Sequence, residues 1–226
     1  MSPRPRKASD AEIFAAAHRV MLRAGPEQFT LAEIAGEAGL TAGALVQRFG
    51  SKLGLLRAVA AQMTEASAEL FDAIRGDASS PLEAVRAYAE CMAQMGGSPS
   101  ALAHHLAWLQ LDLTDEEMRR HLRAQAAMAR DTLGRWVADA IDSGELAQTT
   151  DAAGLARSIQ VTISGSLLGS AFDDGSAVAS MRRDLEALLR PWLRGNSEGD
   201  RGARATPRRG RRSRTRASGP RDERAR

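Results

Sequence analysis

Helix caps and glycines divide this chain at short intervals, and they constrain its fold more than any other feature. Ser9 followed by Glu12 has the spacing of a capping box, and Thr30, Thr41 and Ser51 stand at three further helix starts. Between the caps, apolar residues recur every three or four positions, the period of an amphipathic helix. The pattern predicts helices at about 9–25, 30–38, 41–49, 51–75, 80–96, 100–111, 114–143, 150–172 and 176–193, with a second capping box at Thr114 and Glu117.

The composition agrees with an all-α fold of about nine helices. The chain has 226 residues, 43% of them hydrophobic, and its β-branched residues are few and scattered. Cys91 is the only cysteine, which excludes a disulfide framework and a multi-cysteine metal cluster. The first residues lack the apolar stretch of a secretory signal, and the uncharged run at 158–172 is too short to span a bilayer. We therefore expect a cytoplasmic protein.

Charge is distributed unevenly along the chain. Formal charge is +3 over residues 1–60, −7 over 61–195 and +7 over 196–226. This arrangement indicates that a polyanion meets the basic beginning of the chain, with the acidic middle turned away from it. The Arg-rich end contains no apolar residue larger than Ala, so it predicts a disordered tail that either adds unspecific phosphate contacts or has no selected role.

Residues 30–49 have the properties of a helix-turn-helix. Leu31, Ile34 and Ala35 would face inward from its first helix, and Leu45 and Phe49 from its second. A glycine at position 39 permits the sharp turn between the helices. The second helix begins with small residues, which would let its end approach base edges closely in a DNA major groove.

At these positions the sequence resembles the N-terminal domain of TetR/AcrR transcriptional regulators. The resemblance covers residues 10–60, and the matching positions are Thr30, Ile34, Ala35, Ala38, Gly39, Gly43, Leu45, Phe49, Ser51, Lys52, Leu55 and Leu56. It implies a DNA-binding regulator with a basic arm at 1–8, a helix-turn-helix domain at 9–56, an effector-binding and dimerisation domain at 57–195, and the tail at 196–226.

The resemblance also implies the DNA contacts. Thr30 and Thr41 would cap helices beside the phosphate backbone, and Lys52 would bind a phosphate. Ala42, Gly43, Gln47 and Arg48 would lie on the groove-reading face. Val46 occupies a position where the family usually has Tyr, so one hydroxyl contact to phosphate is lost.

The middle of the chain contains candidates for an effector pocket, a property that the resemblance implies. These residues suit an apolar or amphipathic small molecule, although core packing is the more common role for any one of them. They are Met92, Met95, His104, His105, Trp108 and Trp136. His104 and His105 are adjacent and point to different helix faces, so they are poor joint metal ligands, and we expect neither a metal nor a cofactor.

The last two helices would form the interface of a homodimer, again by resemblance to the family. Small residues four positions apart permit close helix packing, and the alternative is that the same face packs within its own chain. The candidate residues are Gly165, Gly169, Met181, Leu185, Leu188 and Trp192.

Together these features predict a repressor that is released from a palindromic operator by a small-molecule effector. Effector-assisted DNA binding fits the sequence equally well. A regulator without an effector, and a helical protein-interaction module without DNA binding, remain alternatives. Because phosphate loops, nucleophile elbows and paired metal motifs are absent from the sequence, we do not expect an enzyme.

Overall fold

The computed structural model describes residues 8–94, 96, 98–172 and 176–194. Residues 1–7 of the basic arm, Met95 of the predicted pocket and the tail lie outside the described residues. The described chain forms nine α-helices, which confirms the all-α prediction. They are α1 (Asp10–Gln28), α2 (Leu31–Glu37), α3 (Ala42–Phe49), α4 (Lys52–Asp77), α5 (Pro81–Gln94), α6 (Pro99–Thr114), α7 (Glu116–Asp142), α8 (Ala152–Gly169) and α9 (Ala177–Leu189).

Most helix starts lie where the sequence places them, because a cap is a local interaction. Ser9 and Glu12 form the predicted capping box at the start of α1. The box predicted at Thr114 is wrong. Asp115 caps α7 by accepting from the backbone N–H groups of Glu117 and Met118, while the Thr114 hydroxyl bonds back to carbonyls of α6. A carboxylate attracts these N–H groups more strongly than a neutral hydroxyl does.

The N-terminal helices enclose a small core of their own, here called the N-terminal core. Ile13, Ile34, Leu45 and Leu55 are completely buried in it. Met118 of α7 is equally buried in the same core, and Trp108 and Leu111 of α6 pack against it. The first helices are therefore joined to α6 and α7 by apolar packing.

A second, larger cluster, the C-terminal core, lies among α4–α9. Trp136 is 4% exposed in it and meets the Phe71 ring edge to face at 5.9 Å between centroids. The Tyr88 ring also packs against Phe71, with 5.1 Å between centroids, and burial raises the pKa of Tyr88 to about 12. None of the helices in the described ranges is both long and apolar enough to cross a membrane.

An ion pair reinforces the junction between the two cores. The Arg57 guanidinium on α4 donates from Nε and Nη2 to the two carboxylate oxygens of Asp115, at 3.1 and 2.6 Å. These bonds, with the capped N–H group of Met118, lower the pKa of Asp115 to about 2. Asp115 thus holds α4 and the start of α7 together while it caps α7.

Candidate DNA interface and effector cavity

The two short helices α2 and α3 are held in place by caps on their exposed side. The Glu33 carboxylate accepts from the Thr30 backbone N–H at 2.6 Å and from its hydroxyl at 2.9 Å, and Glu33 N–H donates back to Thr30 at 3.2 Å. The backbone bond is the main reason why the pKa of Glu33 is lowered. Thr41 caps α3 in the same way by accepting from Ala44 N–H. Our sequence analysis missed Glu33, although its spacing from Thr30 is that of a capping box.

The turn between α2 and α3 has the geometry expected of a helix-turn-helix. Gly39 adopts a φ of 68°, in the left-handed region where any Cβ is penalised. The next residue, Leu40, donates its backbone N–H to Ala35 at 2.7 Å. This closes the end of α2 and points α3 in a new direction.

One side of α3 is buried and the other is exposed. Leu45 is completely buried in the N-terminal core. Gly43, Val46 and Gln47 are exposed, Val46 at 47%, and Ala42 is half-buried beside them. We call Ala42, Gly43, Val46 and Gln47 the α3 face. It combines small residues near the helix start with one amide side chain that can both donate and accept hydrogen bonds.

Arg48 and Lys52 both bind groups of their own chain. Arg48 donates to the carbonyl of Ala8 at 2.8 Å and pairs with Asp10 at 2.7 Å, which fastens α3 to the beginning of α1. The Lys52 ammonium donates to the carbonyl of Phe29 at 2.7 Å and lies 4.1 Å from the centre of its ring. Through these contacts Arg48 and Lys52 hold α3 and the start of α4 in place, and their DNA contacts remain a prediction.

A cavity of about 630 Å³, here called the α6 cavity, lies among α1 and α4–α8. One side of α6 lines it with residues spaced three and four apart, as one helix face requires. Of the predicted pocket residues, His104, His105 and Trp108 line it. Met92 and Trp136 instead pack in the C-terminal core, so their assignment to the pocket is wrong.

The polar residues of the α6 cavity come from distant parts of the chain. All four histidines of the sequence line it, His18 from α1, His104 and His105 from α6 and His121 from α7. Burial lowers the pKa of His105 and raises that of the nearby Asp112 to about 6. The described residues contain no group of three or more His, Cys, Asp or Glu placed to hold a metal ion.

The cavity is in direct contact with the last turn of α1. Gly25 interrupts the helix with φ 76° and ψ 160° and is buried. A Cβ at Gly25 would lie 3.0 Å from Cδ2 of His104. The ring that lines the cavity is therefore also packed on the helix that supports α2 and α3.

The predicted dimer residues divide into two groups. Met181 and Leu185 are 0% and 2% exposed within the C-terminal core of their own chain, so they are not surface residues and that part of the prediction is wrong. Leu188 and Trp192 are half-buried against the same core. Gly165 and Gly169 lie on α8, and no atom lies within 4 Å of a Cβ added at either.

Exposed apolar residues continue along the same side of α8. Val161 is 64% exposed and Leu168 45%, and Phe172, just beyond the helix, is 88% exposed. Positions 161, 165, 168 and 172 follow one helix face. We call this row the α8 stripe.

Known proteins share both the helix-turn-helix sequence and the helical architecture of this chain. The profile described as "Bacterial regulatory proteins, tetR family" matches residues 13–59. No curated protein sequence matches the chain. A TetR-family regulator from Pectobacterium atrosepticum has a similar structure, with a TM-score of 0.61, 26% identity, and coverage of 81% of this chain and 93% of that one.

Two further solved structures share the fold at lower identity. The regulator FadR from Bacillus subtilis, in complex with stearoyl-CoA, has a TM-score of 0.61 at 19% identity, covering 80% of this chain and 98% of that one. A regulator from Saccharomonospora viridis, in complex with choline, has a TM-score of 0.66 at 16% identity, covering 80% and 95%. The helix-turn-helix segment therefore matches the tetR family of bacterial regulatory proteins, and the described chain has the fold of TetR-family transcriptional regulators.

Proposed function

We propose that this regulator is a repressor that binds a palindromic operator as a homodimer and leaves it when a small molecule fills the α6 cavity. The exposed α3 face carries this proposal. It presents small residues and Gln47 outward from a helix whose other side is fully packed, which suits insertion into a major groove. Thr30 and Thr41, both exposed, lie at the starts of α2 and α3, where backbone N–H groups favour phosphate.

A homodimer would join two copies along the α8 stripe. The stripe is apolar and exposed, and Gly165 within it and Gly169 beside it leave room for another helix to approach. Two α3 faces about 34–36 Å apart would meet successive major grooves on one side of B-DNA. A two-fold axis between the copies requires a palindromic site.

The packing of α6 supports a coupling between an effector in the α6 cavity and DNA binding. Its lining helix α6 packs through Trp108 and Leu111 on the N-terminal core and through His104 on Gly25. An effector that moves α6 would therefore displace α1 and the α3 face with it. Couplings of this kind typically change DNA affinity by about 1–3 kcal/mol.

The first test measures DNA binding by fluorescence anisotropy, using the DNA upstream of the protein's own coding region. Gly43→Glu places a negative charge on the α3 face, where an added Cβ meets only ordinary contacts. Gly134→Glu is the matched control on α7, with no atom within 4 Å of its Cβ. We expect Gly43→Glu to weaken binding at least about 100-fold through repulsion of phosphate, with no loss for Gly134→Glu. Equal affinities for the two variants would contradict the proposed interface.

The second test concerns the dimer. Gly165→Arg introduces a long charged side chain into the α8 stripe, and Gly134→Arg is its control. Sedimentation equilibrium should show the monomer for Gly165→Arg and the dimer for the control. A dimer that survives Gly165→Arg would place the interface elsewhere.

A regulator without an effector is the second candidate function. A screen for compounds that raise the melting temperature and release the DNA separates the two, because a ligand that binds the native state stabilises it. Compounds that do both support the effector. DNA binding with no such compound favours the second candidate.

A further inference from the structure

We infer that the α6 cavity selects a cationic ligand, an apolar molecule with one protonated or quaternary amine, and that Asp112 is the residue that binds the amine. The inference rests on the proposed function in one respect, that this cavity takes a small molecule. The ligands of the two low-identity structures, stearoyl-CoA and choline, differ in charge, so the ligand class must be derived from the lining of this cavity.

The wall of the α6 cavity contains very few charged residues. Among the lining residues that the structure describes, none is Lys, Arg or Glu, and Asp112 is the only carboxylate. The other titratable groups on the wall are His18 on α1, Cys91 on α5, His104 and His105 on α6, and His121 on α7. The wall is thus mostly apolar, with four histidines and one carboxylate among its polar groups.

The surroundings of Asp112 disfavour its negative charge. Within the described part of the chain, its carboxylate has no hydrogen-bond or ion-pair partner, although it is half-buried. It also lies in the last turn of α6, where the helix dipole disfavours negative charge. Burial and the dipole both disfavour the ionised form, and a cation in the cavity would offset both effects.

Asp115, only three residues later, shows how the same side chain behaves when it is satisfied. It has the Arg57 guanidinium and two backbone N–H groups, and its pKa is lowered to about 2. Asp112 has the cavity in place of these partners, and its pKa is raised to about 6. Arg57 thus supplies the cation that pairs with Asp115. For Asp112, the corresponding cation would be a ligand bound in the α6 cavity.

The aromatic and apolar residues of the wall suit a ligand that combines an amine with an apolar body. Trp108 stands one helical turn before Asp112, so the two share the cavity side of α6, and an indole face attracts cations. Leu22, Met63 and Leu106 line the cavity and are 57%, 41% and 40% exposed. These exposed apolar side chains favour entry of a hydrophobic molecule.

The test is calorimetric titration of the full-length protein with three probes of one skeleton: 4-phenylbutylamine, 4-phenylbutan-1-ol and 4-phenylbutanoate. We expect the amine to bind about 10-fold more tightly than the alcohol, and the carboxylate more weakly than both. Asp112→Asn keeps the shape of the side chain and should remove the preference for the amine while leaving the alcohol unchanged. Asp131→Asn, which removes an exposed carboxylate on α7, should preserve the preference.

Each outcome bears on the inference separately from the repressor proposal. A preference for the amine that is lost only in Asp112→Asn supports the inference, even if the protein fails to bind DNA. Equal binding of the three probes, no binding of the amine, or a preference that survives Asp112→Asn contradicts the inference. In those cases the DNA measurements decide independently whether the repressor proposal stands.

Discussion

Substituting Gly25 by alanine should destabilise the protein far more than the loss of one hydrogen atom suggests. Gly25 has φ 76° and ψ 160°, a region of backbone space that is essentially restricted to glycine, and forcing another residue into it costs about 1–3 kcal/mol. The added Cβ would also lie 3.0 Å from Cδ2 and 3.2 Å from Nε2 of the His104 ring. Crowding of this kind adds about 1–3 kcal/mol when the ring cannot move away. We expect a total loss of about 2–4 kcal/mol.

Urea unfolding and calorimetry measure this loss. For a chain of this length, each kcal/mol lowers the melting temperature by about 2–4 °C. Gly36→Ala is the matched control, since Gly36 is exposed on α2 and has no atom within 4 Å of an added Cβ. It should be neutral or stabilising by up to about 1 kcal/mol, because alanine favours the helix.

A double variant separates the two causes. Gly25→Ala combined with His104→Ala relieves the contact with the ring but retains the backbone strain. In the His104→Ala background, Gly25→Ala should therefore lower the free energy of unfolding by less than it does in the wild type, but by more than zero. If Gly25→Ala proves as stable as Gly36→Ala, the kink in α1 and its packing on the cavity wall are wrong as described. The coupling route from α6 to α1 would then lose its main structural support.

Three further predictions concern the N-terminal helices and the tail. Leu45→Ala removes a completely buried side chain from the N-terminal core and should cost about 2–5 kcal/mol of stability in urea unfolding. Val46→Tyr adds a hydroxyl at an exposed position of the α3 face, and should tighten operator binding by about 2- to 12-fold in anisotropy measurements. Deletion of residues 196–226 should weaken binding to all DNA sequences alike, and an unchanged salt slope would exclude the tail from DNA binding.

Sequence reasoning located the helix starts because capping is a local interaction. A cap joins groups two or three residues apart, so the residue types at Ser9, Thr30 and Thr41 are nearly sufficient to predict where these helices begin. The error at Thr114 has the same origin, since two capping residues are adjacent there. The charged side chain of Asp115, fixed by Arg57 from a distant helix, prevails over its neutral neighbour.

Contacts between distant segments cannot be predicted from periodicity and residue type alone. Periodicity identifies an apolar face on α9, but it cannot tell whether Met181 meets its own chain or a second copy. The sequence likewise marks Arg48 and Lys52 as cations without revealing that the carbonyls of Ala8 and Phe29 lie within reach. The α6 cavity is the extreme case, because its histidines are up to about a hundred residues apart and only tertiary packing assembles them.

The pH dependence of stability offers a last test of the environment of Asp112. Its folded-state pKa of about 6 lies above the ordinary value of 3.8, so the native state binds this proton more tightly than the unfolded chain does. Acidification from about pH 6 to pH 4 should therefore stabilise the native protein through Asp112, whereas Asp115, with a pKa of about 2, loses its contribution only below about pH 4. His105 acts in the opposite direction from Asp112, because its lowered pKa makes protonation costly in the native state.

The comparison with Asp112→Asn isolates this carboxylate from the histidines, which both proteins retain. The variant should be more stable than the wild type at pH 7.5 by about 1 kcal/mol, a figure that allows for solvent screening of a half-exposed side chain. The difference should close by pH 4, where the wild-type carboxyl is neutral as well. Asp131→Asn controls for net charge. A difference that stays constant between pH 7.5 and pH 4 would mean that Asp112 is satisfied in the native protein, and the cavity would then have no unmet charge to offer a cation.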